Sequence, residues 1–120
     1  MSAFVGKEKT SAKYTFTLKD ENGNAVASAS LSTLTLTLKN LDTGLPINLR
    51  DAQNVLNLNN VTIHATSGLL TWAIQPLDMV VVDAKQLQER HRATFRGTTS
   101  GGVQASHEVT LYVQNLADVS

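Results

Sequence analysis

Three histidines, His64, His91 and His107, together with Glu89 are the side chains of this 120-residue sequence best suited to proton transfer or metal binding. Glu89 and His91 are two residues apart, so on a strand they share a face. His107 falls on the partner strand of a hairpin that Thr98–Gly102 would close. A zinc site needs three or four such ligands converging at about 2.0–2.3 Å from the metal. The spacing matches no zinc motif, and only one choice of turn length brings His91 near His107. The ordinary expectation is histidines at strand ends or on a subunit contact, with Glu89 and Glu108 pairing across the hairpin with Arg90, Arg92 or Arg96. Other chemistry is also poorly provided for. The chain has no cysteine, hence no thiolate nucleophile and no thiolate metal ligand. It has no Gly-x-Ser-x-Gly elbow. Gly97 and Gly101-Gly102 bracket a turn with no helix after it, so they do not form a phosphate loop. Asp20, Asn22 and Asn24 resemble the start of a calcium loop but lack its later glycine and distal glutamate, which leaves a hairpin turn. The expectation is a protein that is not an enzyme and holds no metal or cofactor.

Charge is arranged more suggestively. In Glu89-Arg90-His91-Arg92 and onward to Arg96, a regular strand turns Arg90, Arg92 and Arg96 to one face. Such a stripe suits an acidic protein neighbour or a phosphate gripped bidentately. Ten basic and ten acidic residues leave the chain formally neutral, and no aromatic residues interleave the arginines, so nucleic acid is not expected. The plain reading is a solvated or cross-strand-paired face, and the functional one is a protein contact. Residues 1–12 carry Lys7, Glu8 and Lys9 with small residues and little periodicity. They read as a flexible N-terminal arm, either solvated or ordered only against a neighbouring subunit. Lys7 and Lys9 therefore join the three arginines as candidate partner contacts.

The elements that would position these residues are strands. Tyr14, Phe16 and Leu18 alternate with Thr15, Thr17 and Lys19. Leu34, Leu36 and Leu38 alternate with Thr33, Thr35 and Thr37. The same period of two recurs at Val61–Ala65, at Leu70–Gln75 around Trp72, and at Glu108–Gln114. Gln86–Gly97 is read as a strand with Leu87, Glu89, His91, Ala93 and Phe95 on one side, although Asp83–Arg92 could also start a helix. Asp51–Leu58 is open between a capped helical turn and a short edge strand. Asn22-Gly23, Asp42-Thr43-Gly44, Asn59-Asn60, Ser67-Gly68 and Gln75-Pro76 supply turns. No connection has room for a crossover helix, so the expectation is one antiparallel all-β sandwich or barrel domain over 13–120, with Trp72 at its centre. No apolar run reaches the length of a membrane span and no signal-peptide core begins the chain, so a soluble intracellular protein, or one released by lysis, is expected.

Taken in order, several segments resemble a known group. They are Tyr14-Thr15-Phe16-Thr17-Leu18-Lys19 with Asp20-Glu21-Asn22-Gly23-Asn24, the Leu-Thr repeat with Leu41-Asp42-Thr43-Gly44, and Arg50-Asp51-Ala52-Gln53-Asn54-Val55-Leu56-Asn57. Next come Gly68-Leu69-Leu70-Thr71-Trp72 with Gln75-Pro76-Leu77-Asp78, then the Glu89-Arg90-His91 strand and His107-Glu108-Val109. Over residues 12–117 the chain resembles the small immunoglobulin-like β-sandwich proteins found among the virion structural proteins of tailed bacteriophages. The resemblance implies an immunoglobulin-like sandwich of about seven strands and a place in the phage particle assembled in the host cytoplasm. It does not fix the place: the expectation favoured here is a capsid decoration protein in many copies on capsid or connector subunits, with a head–tail connector, tail or baseplate component as the alternative. A lack of disulfides suits assembly in a reducing cytoplasm. A more distant alternative is a carbohydrate-binding sandwich, for which Tyr112 is the one candidate exposed aromatic.

Overall fold

The computed structural model describes residues 2–7, 9–81 and 88–114. Among them are eight strands: β1 (Ser2–Lys7), β2 (Ala12–Thr17), β3 (Leu31–Asn40), β4 (Gln53–Asn54), β5 (Val61–Ile63), β6 (Leu69–Ile74), β7 (Gln88–Thr99) and β8 (Gln104–Gln114). Two short 3-10 turns, Ser28–Ser30 and Pro76–Met79, are the helical pieces described. One sheet runs β1-β8-β7-β3-β4 and the other β2-β6-β5. Every pairing is antiparallel except β1 with β8, which is parallel. The order β8-β7-β3-β4 facing β2-β6-β5 is the G-F-C-C′ over B-E-D arrangement of an immunoglobulin-like sandwich.

The alternation seen in the sequence is the alternation of burial. Leu34, Leu36 and Leu38 are fully buried while Thr35 and Thr37 turn outward. Leu70, Trp72 and Ile74 are fully buried on β6, and Val109, Leu111 and Val113 on β8. The two inner faces close on one another at Trp72, whose ring meets Phe95 edge-on at 5.6 Å. Phe95 also packs against Phe16 of β2 at 5.1 Å. These two phenylalanines link the strands that a disulfide joins in antibody domains. Turn geometry follows the expected residues. Asp20 accepts the backbone N–H groups of Asn22 and Asn24 at 2.9 Å, with Gly23 at φ +84° completing the turn. Gly68 sits at φ +76° with the Val26 carbonyl oxygen 2.8 Å from where a Cβ would lie, so a side chain there meets backbone that cannot yield.

One expectation changes, and two further segments are met by the structure. The stretch read as an arm over residues 1–12 holds a strand in Ser2–Lys7, hydrogen-bonded along β8 from Val109 to Gln114. This adds the eighth strand to the seven expected. Lys9 then takes φ +54° and donates its N–H to the Met79 carbonyl at 2.8 Å, which turns the chain from one sheet into the other. Asp51–Leu58 resolves as a short edge strand, because Gln53 and Asn54 pair with Leu36 and Thr35. Of the segment Gln86–Gly97, residues 88–97 are strand, and the helix start weighed at Asp83 lies outside the described residues.

Candidate functional site

The histidines do not converge. His91 lies opposite Leu111 and His107 opposite Phe95, so four residue positions, about 13 Å of strand, separate them. His64 sits in the β5–β6 turn, where its Nδ1 accepts the N–H groups of Thr66 and Ser67 at 3.2 and 3.1 Å. Among the described residues no group of three or more His, Asp or Glu side chains is placed to hold a metal ion.

Glu89 departs from expectation. Glu108 does pair across the hairpin, with Arg92 Nε at 3.6 Å. Glu89 instead shares the inward side of β7 with His91, and its Oε1 lies 2.7 Å from His91 Nε2. Both side chains are sealed from solvent. Strand parity decided the outcome over charge pairing: residues 89, 91, 93 and 95 must all face the core if 90, 92 and 96 face water. The pair has the composition of an acid–base couple without access for a substrate.

His107 is the half-buried histidine. Its ring stacks on Phe16 with centroids 3.8 Å apart and planes at 10°, and its Nε2 lies 2.9 Å from the Tyr14 hydroxyl. Burial among these rings disfavours the imidazolium and lowers the pKa below the usual 6.5. A folded-state pKa below the unfolded one means that protonation favours unfolding. The contribution of His107 is therefore complete above about pH 6.5 and declines as pH falls from there through the folded value. The urea midpoint should drop between pH 7 and pH 5 in the native chain and drop less in His107→Gln. Equal slopes for the two proteins would refute that placement.

An accessible groove lies on the outer face of the five-stranded sheet. Shallow and of about 460 Å³, it runs over β3 and β7, lined by Thr35, Thr37, Lys39, Arg92, Thr94 and Arg96, with Leu41 and Ala52 completing its wall. The alternation that buries Leu34, Leu36, Leu38, Ala93 and Phe95 necessarily raises these residues on the opposite side. Arg90 lies on the same side of β7 and is half exposed, with Asp42 3.6 Å away. The structure thus brings Arg90, Arg92 and Arg96 to one face and adds Lys39, which the sequence reading did not single out although its place in the Leu-Thr alternation shows its direction. Lys7 and Lys9 are exposed at the end of β1 and in the turn after it, on the far side of β8 from the groove. Tyr112 is half buried on β8, opposite Arg90.

A second polar centre is structural and was not foreseen. Arg50 and Asp78 are buried together, with Nε 2.6 Å from Oδ1 and Nη2 3.1 Å from Oδ2. Arg50 also donates to Gln53 Oε1, the Asn59 carbonyl and Asn60 Oδ1, and its guanidinium lies 5.9 Å from the Trp72 ring centroid. Among the described residues no helix is long and apolar enough to cross a membrane. No family model, curated protein or solved structure matches the chain.

Proposed function

We propose that this chain is a non-enzymatic structural protein of a tailed-bacteriophage particle, a capsid decoration protein that docks on the assembled shell through the outer face of its five-stranded sheet. The observation that carries the reading is that face: a groove walled by threonines and cations, presented by a rigid sandwich and open to a partner surface. The order of segments from Tyr14 to Val109, which resembles such virion proteins, supplies the setting. Arg90, Arg92 and Arg96 supply contacts from the sheet, and Lys7 and Lys9 supply a second set near the β1 edge. Each exposed ion pair contributes little by itself. Repetition around a symmetric shell makes small contacts sufficient, since copies held on one assembly bind at high effective concentration. Neither nucleic acid nor membrane is required as a partner, and the place of work is the virion, assembled in the host cytoplasm.

The test is a cryo-EM reconstruction of the particle made by the phage or prophage that carries this gene. Sandwich-shaped density at regular positions over the shell is the expected result. Density confined to the tail vertex or the tail would transfer the role to a connector or baseplate component. Absence of the protein from purified particles would overturn the virion assignment.

A further inference from the structure

The docking groove carries three cations, Lys39, Arg92 and Arg96, of which Arg92 is engaged within the fold. Lys39 and Arg92 are directly opposed across β3 and β7, and like charges in that relation repel. Arg96 follows on the same face of β7. No carboxylate lines the groove. Glu108, on the neighbouring strand, approaches Arg92 at 3.6 Å, and no ion pair to Lys39 or Arg96 is present among the described residues. Around the cations the wall consists of threonines with Leu41 and Ala52, so between the charges it offers methyl groups and hydroxyls.

Resting on the docking role proposed above, we infer that the groove over β3 and β7 receives an extended acidic segment of a partner protein, laid along β7 with carboxylates four residues apart. The geometry sets the pattern. Arg92 and Arg96 are four positions apart on a regular strand, about 13 Å. An extended segment carries residues i and i+4 on one side at the same spacing, so a carboxylate at each meets one arginine, while the residue between them, i+2, covers the Thr94 row. The carboxylate facing Arg92 also lies between Arg92 and Lys39 and relieves their repulsion. Arginine at these sites allows bidentate contact with a carboxylate. A single-stranded nucleic acid would need flat side chains for its bases, and the groove lining has none.

The experiment is an NMR titration of the isotope-labelled full chain with a threonine decapeptide carrying glutamate at every fourth position. Controls are its Lys-Thr counterpart, a peptide of the same Glu-Thr composition with the glutamates clustered, and oligothymidylate. The expected result is saturable shifts at Thr35, Thr37, Lys39, Thr94 and Arg96 with the spaced peptide, weaker binding of the clustered one and no response to the lysine peptide. The double variant Lys39→Gln/Arg96→Gln, which alters exposed side chains alone, should bind about tenfold more weakly. Shifts absent from this face, equal binding by the double variant, or tighter saturation by oligothymidylate would each overturn the inference. A chain found on phage particles whose groove ignores the acidic peptide would refute this inference and leave the virion role standing. Peptide binding by a chain absent from particles would do the reverse.

Discussion

Replacing Asp78 by alanine is expected to remove about 3–5 kcal/mol of folding stability, because it strands a buried guanidinium. The geometry around the pair gives the reason. All five N–H groups of Arg50 are donated: Nε to Asp78, one Nη to Gln53 and the Asn59 carbonyl, the other to Asn60 and Asp78. The Asp78 carboxylate accepts two of these bonds, a third from Asn48 Nδ2 at 2.8 Å and a fourth from the Gln75 backbone N–H at 2.8 Å. Nothing in the network is wasted, and both charges are at most 2% exposed. Removing the carboxylate leaves a buried cation that cannot shed its proton, with the two N–H groups that Asp78 accepted left unpaired. Removing both charges is a different case. Asn48, Gln53, Asn59, Asn60 and Gln75 lie nearer the surface, so in Arg50→Met/Asp78→Leu they turn to solvent. The double variant should recover most of the loss. Urea unfolding of the native chain, Asp78→Ala, Arg50→Met and the double variant reads all four. If Asp78→Ala costs under about 1 kcal/mol, the pair is hydrated and the account fails.

That network shows where sequence reading reaches its limit. A period of two is local, so the inner faces of β3, β6 and β8, the position of Trp72 and the outward arginines of β7 were all legible from it. The Arg50–Asp78 bond spans 28 residues, and nothing in the neighbourhood of either residue marks the other. A signal for the surrounding loop was present. Asn57, Asn59 and Asn60 all adopt positive φ, a conformation asparagine tolerates better than most residues. An asparagine-rich run after a two-residue strand marks irregular backbone, and irregular backbone inside a sandwich needs polar anchors. The first strand was hidden for a related reason. Ser2–Lys7 is short, contains Gly6, and acquires its order from parallel pairing with β8, a contact with no local signature. Glu89 was missed differently. Its position in the alternation already put it with Ala93 and Phe95, and the attraction of nearby arginines was weighed above parity.

The second large effect concerns Phe95, whose replacement by alanine should cost about 3–5 kcal/mol. Its ring is fully buried and bridges the two sheets, meeting Phe16 of β2 at 5.1 Å and Trp72 of β6 at 5.6 Å. Its strand neighbours are Leu36 and His107, and His107 stacks on the same Phe16 ring. Truncation at this point therefore opens a cavity bordered by both layers, which neither sheet can close without moving against the other. Phe95→Leu keeps much of the volume and should cost about 1–2 kcal/mol. In antibody domains the equivalent strands are tied by a disulfide. A cysteine-free chain must hold them by packing, so Phe16 and Phe95 should act as a unit. In a double-mutant cycle with Phe16→Leu and Phe95→Leu, the coupling expected for such a ring pair is about 0.5–1.5 kcal/mol. Strictly additive losses would mean that the rings fill space independently and that the sandwich is joined elsewhere, with Trp72 the next position to test.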